Sequence, residues 1–224
     1  MIYQGEKMSQ KISLKEAERK AFRLTSQDGL WDIFISCLPL QFAIGPLLSP
    51  IMGDFWSSVI FLPVWGLAYL AIWLVRKYVV KPRIGMVKYG PVRRLRLMRF
   101  TSIMLVGNLA ILALGIVVYV NFATLSGVLI AVILGLFWLI GFSMAAYFLD
   151  YPRLYFYGLL LAVSPLIGEW LYSTYGVAHH GFPVTFGFSA GVMIVSGIAT
   201  FIHFLHDNPL PTMEDPLEEI SSNV

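Results

Sequence analysis

Charged residues are scarce in this chain, and their scarcity excludes an ordinary soluble domain. Of 224 residues, 13% are charged and 58% are hydrophobic, and the mean hydropathy is +0.73. Soluble domains carry about 25% charged residues. Cysteine is scarcer still. Cys37 is the single one, so no internal disulfide and no paired-thiol chemistry are expected.

The short motifs of nucleotide, hydrolase and zinc chemistry are also missing. The sequence contains no GxxxxGK[ST], no GxSxG, no zinc signature and no dinucleotide fingerprint. Two histidine pairs occur, His179–His180 and His203–His206, but neither is set among acidic residues in a metal-binding pattern. We therefore predict no cofactor, no metal and no catalytic residue, although the question of an enzyme stays open.

Long apolar runs are what the chain does have. An apolar helix of roughly 20 residues crosses the hydrocarbon of a bilayer, whereas a strand-built barrel would show alternating segments of about 10 residues. The pattern predicts an all-α, polytopic transmembrane helix bundle with six spans. The predicted spans cover residues 30–50, 55–75, 101–120, 125–149, 153–175 and 184–205.

Every basic residue falls on one side of this predicted bundle. The leader holds six of the 16 lysines and arginines, the link at 76–100 holds nine, and the turn at Arg153 holds one. Basic residues in short loops stay in the cytoplasm. The pattern therefore predicts cytoplasmic N- and C-termini, and we expect the chain in the plasma membrane of a prokaryote.

Two terminal segments flank the predicted membrane domain, which covers 30–206. The leader, 1–29, predicts an interfacial amphipathic helix, because Ser13 and Glu16 form a capping box ahead of apolar residues at helical spacing. Asp28 and Gly29 mark the turn into the first span. Residues 207–224 are rich in proline and acid, which predicts a disordered acidic cytoplasmic tail.

Three polar residues inside the predicted spans form a candidate intramembrane site. Glu169 lies about 24 Å along the fifth span, and a carboxylate in the apolar region often marks a proton or substrate path. Gln41 and Asn108 lie near the middle of the first and third spans. Each of the three could instead bind a neighbouring helix or be satisfied at the interface.

The basic inner surface and one glycine pair predict binding partners. Anionic phospholipid headgroups are expected on the basic surface, and nucleic acid is not, because the link is short and close to the membrane. Gly187 and Gly191 form a GxxxG that permits close approach, either within the chain or to a second copy or partner membrane protein. The candidate headgroup contacts are Lys81, Arg83, Arg93, Arg94 and Arg153.

Three functions remain open from the sequence. The leading interpretation is a non-enzymatic membrane subunit or scaffold with a basic cytoplasmic face. The alternative is a small-solute or ion transporter or channel that uses Glu169, Gln41 and Asn108. The third is a membrane-embedded lipid-modifying enzyme, for which the sequence offers no recognisable nucleophile or metal set.

Overall fold

The described part of the chain is helical throughout and contains no strand. The computed structural model describes residues 28–84, 98–103, 105–107, 109, 113, 116, 120 and 126–209. Five of its helices are long and apolar enough to cross a membrane. They are α1 (Leu30–Met52), α2 (Asp54–Ile84), α4 (Gly127–Leu149), α5 (Arg153–Tyr175) and α6 (Phe182–Asp207).

A sixth, shorter apolar helix, α3, runs over Met98–Gly107. It overlaps the start of the third predicted span, and half of the residues of that span are outside the described part of the chain. The leader helix, the acidic tail beyond residue 209, and Arg93, Arg94 and Asn108 also lie outside them. The all-helical, apolar character predicted from the sequence is confirmed for the part of the chain that is described.

Helix α2 extends further than the sequence predicts. The predicted span ends at residue 75, where basic residues begin, and the helix continues through Ile84, nine residues further along the chain. The residues from Arg76 to Val80 form a wide π-helical turn in which the Lys81 N–H donates to the Arg76 carbonyl. Pro82 has no N–H to donate, and a widened turn just before it lets the helix continue.

A single glycine joins α1 to α2. Gly53 has φ +79°, which glycine adopts without the penalty that a side chain would bring. Its N–H donates to the Ser49 carbonyl at 2.8 Å, and the Ser49 hydroxyl donates to Asp54. The first two long helices therefore form a tight antiparallel hairpin.

The core lies between α1, α4, α5 and α6. Helix α1 packs along α6, α4 packs along α5, and α5 also contacts α6. Tyr157, Leu161, Phe186 and Met193 are almost fully buried there. Helix α2 contacts α1 mainly beside the Gly53 turn, its end buries Val80 against Leu30 and Phe204, and its middle leaves most of its apolar side chains exposed.

Close glycine contacts set the two main helix pairings. A Cβ at Gly197 of α6 would lie 2.9 Å from the Gly29 carbonyl oxygen at the start of α1. A Cβ at Gly135 of α4 would lie 2.5 Å from the Ala162 carbonyl oxygen of α5. Small residues permit such approach between membrane helices. Within the predicted GxxxG, Gly187 faces Ala43 at an ordinary contact distance, and Gly191 faces open space.

Candidate functional site

Two completely buried aspartates lie at one end of the bundle, which we call the basic end. This end contains the start of α1 and α5 and the end of α2, α4 and α6, together with Arg76, Arg83 and Arg153. The side chains of Asp28 and Asp32 are 0% exposed. An ionised carboxylate withdrawn from water requires a countercharge and hydrogen bonds, so the partners of each aspartate define the site.

Asp28 is held by an arginine from the end of α2. Nε and Nη2 of Arg76 donate to the two carboxylate oxygens at 3.1 and 3.0 Å. Asp28 Oδ1 also accepts from the Leu30 N–H at 3.1 Å, at the first residue of α1. The Arg76 guanidinium lies 4.8 Å from the Trp31 ring centroid. Burial raises the pKa of the Asp28 carboxyl, and the nearby Arg76 charge opposes that rise.

Asp32, one turn further along α1, is held by the α4–α5 turn and by Arg153 of α5, which also binds α6. The hydroxyl of Tyr151, in the turn between α4 and α5, donates to Oδ1. Nη1 of Arg153 donates to Oδ2 at 3.1 Å and also to Thr200 Oγ1 of α6 at 2.6 Å. Burial, followed by the negative charge of Asp32, raises the pKa of the Tyr151 phenol. The phenol therefore keeps the proton that it donates.

A third arginine at this end binds backbone rather than carboxylate. Nη1 of Arg83 donates to the carbonyls of Leu205 and Asn208 at 3.3 and 2.9 Å. These carbonyls belong to the last turn of α6, where the helix leaves acceptors unpaired and its dipole favours a cation. Arg83 therefore fastens the end of α2 to the end of α6.

The predicted headgroup contacts fall into three groups: two arginines that bind the protein itself, one exposed lysine, and two arginines outside the described residues. Arg83 and Arg153 bind groups of the protein itself, although 41% of the Arg153 side chain is exposed. Lys81 is exposed at the same end. Arg93 and Arg94 lie outside the described residues, so headgroup binding there stays a prediction.

Glu169 lies at the opposite end of the bundle and has a local partner. Its Oε2 is 2.8 Å from His180 Nδ1, and the two side chains are 14% and 49% exposed. The His180 ring lies 4.2 Å from the Tyr172 ring, centroid to centroid. A Cβ at Gly127, the first residue of α4, would overlap Glu169 Oε1. The carboxylate therefore sits against a helix N-terminus, where negative charge is favoured.

The three residues of the predicted intramembrane site are not brought together in the described structure. Gln41 is half-buried on α1, about 17 Å from its start, and no hydrogen bond links it to Glu169 or His180 among the described residues. Asn108 lies outside those residues. No cluster of three or more His, Cys, Asp or Glu that could hold a metal occurs in the described part of the chain.

The aspartate site is not among the residues predicted from the sequence, although the sequence carries a signal for it. Asp32 is an acid three residues into an apolar run, and Asp28 lies four residues before it, a spacing that places both on one helix face. In the sequence, Asp28 by itself indicates only a turn. Tyr151 and Thr200 carry no comparable signal, because only the tertiary structure brings Tyr151 to Asp32 and Thr200 to Arg153.

Comparisons of the chain with protein-family models, with curated proteins and with solved structures find no match.

Proposed function

We propose that the chain is a multi-pass integral membrane protein whose basic end faces the cytoplasm, and that it acts as a non-enzymatic subunit or scaffold. The observation that carries this proposal is the pairing of both buried aspartates with arginines from other helices. Charge at the basic end holds helices together and leaves neither carboxylate open to a solute.

The exposed surface of α2 supports a binding role. Leu62 and Leu67 are 70% and 66% exposed, and few side chains of α2 pack on the rest of the described bundle. In lipid, the hydrophobic effect does not drive helices together, because the lipid tails are as apolar as the side chains. Membrane helices associate instead through close van der Waals packing and hydrogen bonds between helices. A partner membrane helix along α2 would explain why this helix is held mainly at its two ends.

The transporter alternative receives less support. The large cavity of the bundle includes neither Gln41 nor Glu169 in its lining, and Glu169 is occupied by His180. For a lipid-modifying enzyme, Arg83 is not open to a headgroup, because its Nη1 donates to the carbonyls of Leu205 and Asn208.

Orientation is tested by cysteine labelling in a Cys37→Ser background. Lys81→Cys and His179→Cys place single thiols at exposed positions at opposite ends. A membrane-impermeant maleimide should label His179→Cys in intact cells and Lys81→Cys only after lysis. Labelling of Lys81→Cys in intact cells would contradict a cytoplasmic basic end.

The scaffold role is tested by photo-crosslinking in native membranes. Benzoylphenylalanine at Leu67 should give a discrete protein adduct, and the same group at Phe186, which is 0% exposed, should give none. Adducts to lipid alone at Leu67, or solute flux in proteoliposomes that Glu169→Gln abolishes, would overturn the scaffold in favour of another function.

A further inference from the structure

A large apolar cavity opens between α1, α2, α3 and α4. Its volume is about 1030 Å³. Ser102 carries the sole hydroxyl among its described lining residues, and no charged side chain is among them. The side chains that define its walls include Phe34, Leu38, Trp65, Val106, Phe137 and Leu149.

The size and chemistry of the cavity suit hydrocarbon. Ligand pockets usually measure about 300–1,000 Å³, so this one is at the upper end of the range. At roughly 30 Å³ for each methylene-sized group, which is the volume share of a water molecule, it has room for on the order of 30 carbons. That is close to the two acyl chains of one membrane lipid. Water is excluded as the occupant because it needs two to four polar partners.

The cavity begins at the basic end and runs into the bundle. Leu149 and Leu154 lie at that end, and Ile133 lies 16 residues before Leu149 on α4. The walls along α4 therefore extend about 24 Å. One leaflet of a bilayer has about half of the roughly 30 Å hydrocarbon thickness. A lipid of the leaflet at the basic end could thus insert its full chains.

Two arginines are close in the chain to residues that line the cavity at the basic end. Arg153 directly precedes the lining residue Leu154, and 41% of its side chain is exposed while Asp32 takes one guanidinium nitrogen. Arg99 is exposed and lies one turn before the lining residue Ile103 on α3. The ring of its neighbour Phe100 lies 5.8 Å from that of Phe148, which places Arg99 near the end of α4.

We propose that this cavity binds one anionic phospholipid, with its acyl chains inside and its phosphate beside Arg99 and Arg153. Guanidinium groups bind phosphate through charge-assisted hydrogen bonds. The positive charges of the two arginines therefore complement the negative phosphate of a lipid whose chains fill the apolar cavity. This inference rests on the proposed membrane location. It adds to the scaffold a resident lipid between α1, α2, α3 and α4.

Two glycines allow the cavity to be filled without a clash. Gly107 and Gly141 both line it, and a Cβ at either would meet no neighbouring atom within 4 Å. Gly141→Leu therefore extends a side chain into the lipid volume. Gly66→Leu is the matched control, because Gly66 also faces open space on a described helix but does not line the cavity.

The experiment measures phospholipid retained by the purified protein. The detergent-solubilised, full-length chain is exchanged into an equimolar mixture of phosphatidylglycerol and phosphatidylcholine, and bound lipid is counted by native mass spectrometry. The wild type should retain about one phosphatidylglycerol, at least fivefold over phosphatidylcholine. Gly141→Leu should reduce this at least tenfold, and Gly66→Leu should leave it unchanged.

The headgroup is tested in the same assay. Arg99→Gln should remove the preference for phosphatidylglycerol, whereas Lys77→Gln, at an exposed cation on α2 outside the cavity lining, should preserve it. Gly107→Leu replaces Gly141→Leu if size-exclusion chromatography shows that the latter has not folded. Unchanged retention in the glycine variants, or equal retention of the two lipids by the wild type, would overturn the proposal. Neither result depends on the Leu67 crosslink, so this site and the scaffold can fail separately.

Discussion

Asp32 is completely buried at the start of α1, and Nη1 of Arg153 on α5 donates to its Oδ2 at 3.1 Å. The same arginine nitrogen reaches Thr200 on α6, and Tyr151 donates to the same carboxylate. One acidic side chain therefore joins α1 to α5, to α6 and to the α4–α5 turn. A buried ion pair contributes little net stability against an apolar replacement, but removal of one partner is strongly destabilising.

The first prediction concerns this ion pair. Asp32→Asn should lower the free energy of unfolding by about 1–3 kcal/mol, because Arg153 loses its countercharge. The full range for buried pairs is about 3–5 kcal/mol, and the 41% exposure of Arg153 reduces it. Unfolding in detergent micelles by a denaturant titration measures the change. Asp207→Asn, at a side chain that is 52% exposed, is the control and should change little.

The coupling between the two residues can be isolated by a double-mutant cycle. Asp32→Leu and Arg153→Leu combined should destabilise the protein less than the sum of the two single changes, since the double variant leaves no unpaired charge. A double variant whose loss equals that sum would show that the residues act independently.

The second prediction concerns the two-armed contact between Arg76 and Asp28. Arg76→Lys keeps the charge but cannot place two parallel donors on the carboxylate, so we expect a loss of about 1–2 kcal/mol, in the range of a hydrogen bond to a charged group. Arg99→Lys, at an exposed position, should have no effect on unfolding. Equal stability of the two variants would argue against a structural role for the paired hydrogen bonds.

The third prediction separates backbone strain from helix packing at two glycines. Gly29 and Gly53 have φ +81° and +79°, so alanine at either position is strained, by about 1–3 kcal/mol. A Cβ at Gly53 meets open space, whereas one at Gly29 would overlap the Gly197 carbonyl oxygen and lie 2.9 Å from the Phe201 nitrogen. Gly29→Ala should therefore destabilise the protein clearly more than Gly53→Ala in the same unfolding titration. Similar losses would mean that α1 and α6 separate there easily.

The helices were the predictable part of this molecule, because hydropathy reports burial in lipid directly. The end of α2 was not. The run of basic residues and Pro82 predict that the chain leaves the membrane after residue 75. In the structure, Arg76 binds Asp28, and Arg83 binds carbonyls at the end of α6. These contacts with residues distant in the sequence keep the chain helical beyond the first basic residues. The π-helical turn at Arg76–Val80 accommodates Pro82, which has no N–H to donate.

The candidate intramembrane site stays a prediction, and the structure places Glu169 and Asp32 in different surroundings. In the sequence, Glu169 lies deep in an apolar run, whereas Asp32 lies near the start of one. Depth along a helix measures distance from its end, not burial by neighbouring helices. In the structure Glu169 is 14% exposed beside a histidine, and Asp32 is 0% exposed among four elements.

The fourth prediction compares the contributions of Glu169 and Asp32 to stability. Glu169→Gln should change the free energy of unfolding by less than about 1 kcal/mol, since its partner His180 is 49% exposed and pairs of this kind contribute about 0–1 kcal/mol. The change should be clearly smaller than that of Asp32→Asn under the same conditions. A larger loss for Glu169→Gln would make the Glu169–His180 pair the principal polar contact of the bundle.

The position of Glu169 over the start of α4 can be tested through Gly127. Alanine should favour the helix by up to about 1 kcal/mol relative to glycine, but its Cβ would overlap Glu169 Oε1 and displace the carboxylate. Gly127→Ala should therefore stabilise the protein in a Glu169→Ala background and fail to do so with Glu169 present. Equal effects of Gly127→Ala in both backgrounds would show that the Glu169 carboxylate can move away from the start of α4 without a loss of stability. The Glu169–His180 contact would then be a surface pair with no fixed geometry.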